Sequence, residues 1–368
     1  MRTWTGLGSM RIACYSYGLP VVGQKRGGIE RAAHHLADGL GRRGHRVSVW
    51  TYDPKPEGAA YEVCTLPWKR FFTSWLGCRV TMGYLGNLLA LLPRYRDVDV
   101  IVAFGDSLLL PLLGKPVVRV MLGSALGEAL SSKSPWRFAF QLGVYAQELL
   151  TGFTQSGSVA ISRNTRQYNP FIRRVIPLGV DLMVFSPDLS MKSPEPSILF
   201  VGTLEGRKRG RLLIKWFMRD VRPRHPTSTL MMISPPGPEI PGVNYYTGVS
   251  ETELAALYRR AWIYASPSTY EGFGLPYLEA MACGTPVVAT PNPGSREVLD
   301  EGRFGRLVAD SEFGAAMADL LADADARAEL AVVGIKRSIE FALPTMVDRY
   351  ERLLSEICAP NGSVSKVV

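Results

Sequence analysis

Tyr270-Glu271-Gly272-Phe273-Gly274-Leu275-Pro276-Tyr277-Leu278-Glu279-Ala280 follows an apolar run, Ile263 to Ser266, and leads into an apolar helical stretch. A strand, a glycine-rich turn and a helix in that order make one α/β unit. Pro276 suits the first helical turn, where its missing N–H costs nothing. Gly272 and Gly274 let the backbone approach a ligand closely, and the unpaired N–H groups of the helix start attract anions. Glu271 then falls in the loop and Glu279 about one turn inside the helix. Two carboxylates so placed can bracket a ligand, one facing a sugar and the other a ribose. A capped helix with two surface glutamates has the same spacing, and these residues alone leave both readings open.

Outward from this unit the same alternation recurs. Toward the N-terminus, Ile12 to Ser16 reads as a strand, and Gly27-Gly28 open a helix. Its residues Ile29, Ala32, Ala33, Leu36, Ala37 and Leu40 share one face. Gly44 ends that helix, and Val47 to Trp50 resumes as strand. Further strand runs are Val98 to Phe104, Pro116 to Met121, Val159 to Ser162 and Val175 to Pro177. The Ser-, Pro- and Lys-rich stretch Phe185 to Pro196 reads as a linker. Beyond it the pattern restarts with Ile198 to Gly202, a helix near Leu212 to Phe217, and strands at Thr229 to Ser234, Ile263 to Ser266 and Pro286 to Thr290. Helices follow at Ser311 to Ala322, Ala326 to Phe341 and Met346 to Ile357. The expected organisation is an N-terminal Rossmann-like domain over 10–184, a second over 185–343, a helix over 344–358 returning to the first, and a flexible tail over 359–368.

The length of 368 residues and an apolar content of 46% suit two packed α/β cores. The formal charge is +9, and it is unevenly placed. From Val63 to Val180 there are 13 Lys or Arg and five Asp or Glu, so nearly the whole excess lies in the N-terminal half. Such a field attracts phosphate, nucleic acid or anionic lipid. The five cysteines show no metal-ligand spacing, and their odd number argues against a disulfide framework. The expected location is the cytoplasm, with the inner face of the membrane as an extension of it. Met1 to Ser9 lacks the apolar core of a signal peptide, and no run reaches the length of a membrane span.

Several segments, taken together and in order, resemble the retaining glycosyltransferases of family 4, which have the GT-B fold. They are Gly27-Gly28-Ile29-Glu30; Arg43-Gly44-His45-Arg46-Val47; Ile176-Pro177-Leu178-Gly179-Val180-Asp181 with Phe185; and Phe200-Val201-Gly202 with Arg207-Lys208-Arg209-Gly210. Gly248-Val249-Ser250 with Leu254 and Tyr258 comes next, then Pro267-Ser268 with Glu271 to Glu279. Gly284-Thr285-Pro286-Val287-Val288-Ala289 and Gly294 with Glu297 complete the set. The resemblance covers nearly the whole chain. It implies two Rossmann-like domains facing each other across a cleft, and a nucleotide-sugar donor, UDP- or GDP-linked, as substrate rather than cofactor.

The resemblance also implies roles. Glu271 resembles the carboxylate that contacts the donor sugar, and Glu279 the one that holds the ribose. Gly272, Phe273, Gly274 and Leu275 resemble the backbone lining sugar and phosphate. Arg207, Lys208 and Arg209, following the strand that ends at Gly202, resemble the cations on the diphosphate. Gly248 and Val249 stand where the family reads the base, and Gly27 and Gly28 resemble a loop that closes over the diphosphate. Physical chemistry agrees: charge builds on a diphosphate as it leaves, and fixed cations and helix N-termini stabilise that charge. No His/Cys cluster demands a metal, so none is expected. The competing reading of Arg207-Lys208-Arg209 is a solvated loop before a helix.

The chain departs from the family pattern twice. Leu122-Gly123 stands where many members have histidine and glycine, which puts a histidine role there in doubt. Thr203 stands where arginine is frequent, which shifts the phosphate-binding weight onto Arg207, Lys208 and Arg209. In the segment Trp68 to Arg79, Trp68, Phe71, Phe72 and Trp75 mix with Lys69, Arg70 and Arg79. Lys133 to Phe140 adds Trp136 and Arg137. Aromatics with cations suit an anionic membrane interface; an ordinary helix packing its aromatics inward has the same composition. No nucleic-acid module accompanies these residues. The resemblance implies glycosyl transfer with retention, to a glycan, lipid-linked or small-molecule acceptor; with no obvious enzymatic nucleophile, metal-independent front-face displacement is the expected route. The rivals are a phosphorylase or epimerase on the same fold, and a sugar-nucleotide-binding protein without activity.

Overall fold

The computed structural model describes residues 8–21, 28–69, 79–130 and 134–359, the side chains of 79–84 excepted. The chain forms two compact units, one of residues up to Pro177 together with those from Pro344, the other Leu178–Leu343.

The first unit is built on a seven-stranded sheet in which every paired strand is parallel. Its strands are β1 (Arg11–Ser16), β2 (Arg46–Thr51), β3 (Glu62–Thr65), β4 (Val100–Phe104), β5 (Val117–Met121), β6 (Gly157–Ala160) and β7 (Arg174–Val175). They lie in the order β3-β2-β1-β4-β5-β6-β7. The central strands β4 and β5 are buried along their whole length, as strands covered by helices on both faces must be. The helix Gly28–Arg42 buries Ala32, Ala33, Leu36, Ala37 and Leu40, the stripe legible in the sequence.

The C-terminal helix Leu343–Cys358 lies against this unit. Met346, Val347, Tyr350, Leu353 and Leu354 are buried. At Gly39 an added Cβ would come within 2.5 Å of Val347, so only glycine permits the close approach of the two helices. Glu351 takes a 2.6 Å ion pair from Arg43 and a 3.0 Å contact from His45.

The longest helix among the described residues, Pro135–Thr154, has no inward apolar stripe in its sequence because its buried side is polar. It buries Glu148 and Thr151 and leaves Trp136, Phe138, Phe140, Leu142, Leu150 and Phe153 exposed. Glu148 accepts a hydrogen bond from Ala125 N at 3.1 Å. Burial pushes its carboxyl up to about 7, against the opposing pull of the Ala125 N–H and Arg119.

The second unit repeats the plan with six parallel strands: β8 (Ser197–Val201), β9 (Thr229–Ile233), β10 (Val243–Tyr246), β11 (Ile263–Ser266), β12 (Val287–Ala289) and β13 (Arg306–Leu307). Their order is β10-β9-β8-β11-β12-β13. One face is filled by Phe200, Trp216, Phe217, Leu230, Met232, Phe313 and Met317.

The boundary between the units falls after Pro177, earlier than the break expected at 184. Val180 pairs with Ala342, and Phe185, fully buried, sets its ring edge-on to Tyr258 at 6.1 Å. The stretch expected as a linker also packs on the second unit: Lys192 Nζ donates to Ala261 O at 2.5 Å and Thr285 Oγ1 at 3.1 Å. Lys192 is polar in sequence, but its ammonium is spent on a backbone carbonyl and a threonine hydroxyl of the second unit.

Candidate active site

In the second sheet the chain runs from β8 outward to β9 and β10, then returns to β11 on the other side of β8. At such a reversal the loops leaving the two central strands diverge and open a crevice at the carboxyl ends. The loop after β8 carries the helical turn Gly206–Lys208, and the loop after β11 runs from Pro267 to Gly274. The two are stitched together: Thr269 N donates to Arg207 O at 2.9 Å, and Arg209 Nε donates to Pro267 O at 2.5 Å.

Glu271 is 6% exposed at this crevice. Its Oε2 accepts from Arg207 Nη1 at 2.8 Å, and its Oε1 lies 2.6 Å from Lys208 Nζ. Burial pushes the Glu271 carboxyl up, but Lys208 and then Arg207 outweigh it and hold the group below the usual carboxylate range. Two glycines shape the packing around Glu271. A Cβ at Gly294 would stand 2.5 Å from Phe273 O and 2.8 Å from Glu271 Cβ, so the Glu271 loop is backed directly by the helix Pro293–Val298. A Cβ at Gly202 would stand 2.6 Å from the Phe200 ring and 3.0 Å from Lys208 Cβ, so glycine there lets the Lys208 stem lie against the end of β8.

The helix after the glycine turn spans Leu275–Ala282, with Gly274 as its cap at φ +105° and proline in its first turn. Phe273 is buried, as is Glu279, which is 1% exposed. Glu279 Oε2 accepts from the Tyr258 hydroxyl at 3.1 Å. Burial, and next the Glu279 charge, raise the Tyr258 phenol well above its ordinary range, so Tyr258 stays a donor. The alternative of two surface glutamates is excluded, since both carboxylates are buried.

Of the three neighbouring cations the structure brings two, Arg207 and Lys208, to Glu271. Arg209 sits at φ +54° and turns away, its guanidinium held by both oxygens of Asp310, at 2.5 and 2.9 Å, and by Pro267 O. Thr203, where arginine is frequent in the family, closes a local turn by donating to Glu205 O at 2.8 Å. Gly248, at φ +67°, and Val249 lie past the end of the edge strand β10. There Ser250 and Glu253 cap the next helix reciprocally. In the first unit Gly28 is the exposed first residue of its helix, and Gly27 lies outside the described residues. In the segment expected at a membrane, Trp68 is exposed and Lys69 is ion-paired with the buried Asp53, while 70–78 lie outside the described residues. No helix among the described residues is long and apolar enough to cross a membrane.

Two supports of the site are not evident from the sequence. Tyr258 belongs to a family-like segment, but nothing local to it points to Glu279, its partner 21 residues on. Asn292 donates to Ser268 O at 3.0 Å and to the Tyr277 hydroxyl at 3.1 Å, tying β12 to the site loop. The Asn-Pro pair at 292–293, a helix cap followed by proline, was the available signal.

Residues 26–184 match the model of Glycosyltransferase Family 4, and residues 195–323 that of Glycosyl transferases group 1. Over 217 residues the chain is 30% identical to the D-inositol 3-phosphate glycosyltransferase of Corynebacterium jeikeium, covering 50% of this chain and 52% of that protein. It is 32% identical over 156 residues to a probable sucrose-phosphate synthase of Thermosipho melanesiensis, covering 38% and 37%. The chain spans about half the length of the curated relatives it matches, or less. Among solved structures it is similar to sucrose-phosphate synthase from Thermosynechococcus elongatus, with a TM-score of 0.75 and 18% identity over 94% of this chain and 98% of that one. The Anabaena protein HepE in complex with UDP and glucose gives 0.72 and 19%, over 94% and 99%. At such identities these structures establish the fold. With two parallel Rossmann-like sheets and family matches across both, the chain belongs to glycosyltransferase family 4, the glycosyl transferases group 1.

Proposed function

We propose that this protein transfers a sugar from a nucleoside diphosphate donor to an acceptor, with retention of configuration and without a divalent metal. The observation that carries the reading is the buried Glu271 carboxylate held by Arg207 and Lys208 where the loops after β8 and β11 meet. Those cations, with the start of the helix Leu275–Ala282, suit a diphosphate; Glu271 suits sugar hydroxyls and Glu279 a ribose. In the reaction the C1–O bond to the diphosphate breaks, and its electron pair goes to the phosphate oxygen. The acceptor oxygen bonds to C1 on the same face, and its proton passes to the leaving diphosphate. Arg207 and Lys208 stabilise the charge that develops. HepE was solved with UDP, and a 29% identical relative from Mycolicibacterium smegmatis is named as GDP-mannose-dependent, so the donor is either a UDP- or a GDP-sugar. Incubation of the purified chain with UDP- and GDP-sugars in EDTA is expected to give an axial or equatorial product linkage matching the donor, read by proton NMR. Activity lost in EDTA and restored by magnesium or manganese would contradict the metal-independent route.

The acceptor side we assign to the basic first unit, at an anionic membrane. The outward face of the helix Pro135–Thr154 supports this. Trp136 is 84% and Phe153 70% exposed, Phe140, Leu142 and Leu150 share that side, and the helix's one acid, Glu148, is buried. A continuous apolar face with Arg137 beside it fits the headgroup layer, and each further cation near an anionic leaflet adds about 1 kcal/mol. Binding to vesicles containing anionic lipid is expected at low salt, to weaken as salt rises, and to fall in Trp136→Glu/Phe140→Glu with donor affinity kept. A wild type that ignores such vesicles, or that pairs through this face in light scattering, would refute the lipid assignment.

A further inference from the structure

We infer that Glu271 acts as a built-in counter-anion that holds the spent nucleoside diphosphate loosely, so that the intact donor binds in preference to the product. The inference rests on the proposed role of Arg207 and Lys208 as the diphosphate cations. Both oxygens of Glu271 lie on those cations, at 2.8 and 2.6 Å. Two positive charges therefore share one negative charge before any ligand arrives. The third nearby cation, Arg209, is committed to Asp310, and Thr203 supplies no charge. A diphosphate entering the pocket must take the two cations from Glu271 or share them with it.

The loop that carries the carboxylate cannot shift back toward the helix Pro293–Val298. The backbone behind it is braced by Gly294, where even a methyl group would press on Glu271 Cβ and Phe273 O. The carboxylate's shielding from water makes repulsion by a bound diphosphate stronger than it would be at the surface. A donor brings sugar hydroxyls that can donate hydrogen bonds to the carboxylate and stand in for the cations the diphosphate has drawn away. The product lacks the sugar and leaves that repulsion uncompensated. The same carboxylate thus favours the sugar-bearing ligand and disfavours the bare diphosphate.

The test is calorimetry on the full chain with UDP, GDP and ADP and their common sugar conjugates. Wild type, Glu271→Gln and Glu271→Gln/Arg207→Gln are compared. In Glu271→Gln the diphosphate that the wild type takes is expected to bind roughly tenfold tighter or more, the scale of a hydrogen bond to a charged group. Its sugar conjugate should bind no tighter, and the double variant should lose the gain. Should Glu271→Gln fail to fold, Glu271→Asp keeps the charge but draws the carboxylate back from the cations, and a smaller tightening is expected. Equal or weaker diphosphate binding in the folded variant overturns the inference while leaving the donor site standing. Failure of the wild type to bind any of the three diphosphates overturns the donor-site reading and this inference with it.

Discussion

Replacing Lys208 by alanine is expected to lower kcat by about 100-fold or more at saturating donor, the cost of removing one preorganised group that stabilises developing charge. The Lys208 ammonium is 2.6 Å from Glu271, and its stem is packed against Gly202 at the end of β8. Its position is therefore set before the substrate arrives, which is what makes a charge effective in a transition state. Adding Arg207→Ala should deepen the loss. Arg209→Ala should act differently: its guanidinium ties the β8 and β11 loops to Asp310, so its loss should show first in thermal stability. The decisive comparison is kcat against melting temperature across these variants. If Lys208→Ala turns over within threefold of wild type, the leaving group is stabilised elsewhere.

Glu279→Ala is expected to weaken nucleoside diphosphate binding about tenfold or more, since a lost hydrogen bond to a charged group costs roughly 1.5–3 kcal/mol. Glu279 is buried one turn into the helix Leu275–Ala282, and the Tyr258 hydroxyl fixes its Oε2 from behind at 3.1 Å. Tyr258→Phe should therefore weaken the same ligands by a smaller factor. A ligand lacking the ribose hydroxyls separates this role from a general loss of packing. Wild type should distinguish the ribose from its dideoxy analogue, and Glu279→Ala should bind both alike. Calorimetry showing an unchanged ribose preference in Glu279→Ala would remove the ribose assignment.

Much of this architecture is legible in residue order alone. Glycine before a helix, apolar runs of strand length and the stripe of Ala32, Ala33, Leu36, Ala37 and Leu40 are local signals, because hydrogen bonding and side-chain periodicity act within a few residues. Glu271, Glu279 and the basic triplet sit at fixed offsets from strand ends, but that spacing left their role open, and it was the family resemblance that singled them out. Other elements read poorly where the local signal and the packing disagree. The helix Pro135–Thr154 buries Glu148 and exposes Trp136, so its apolar pattern points away from the core. The polar stretch after Phe185 looks like a linker, yet Lys192 spends its ammonium on Ala261 O and Thr285 Oγ1.

The sequence by itself determined two α/β units of parallel strands and the identity of the charged groups that end beside one crevice. Only the tertiary structure decided which of those charges face one another. Arg207, Lys208 and Arg209 are adjacent in the chain, but the left-handed turn at Arg209 sends its side chain to Asp310 while the other two reach Glu271. Their partners lie more than sixty residues away, brought near because β8 and β11 are neighbours in the sheet. Strand order depends on the packing of the whole unit, and so the pairing of charges does too.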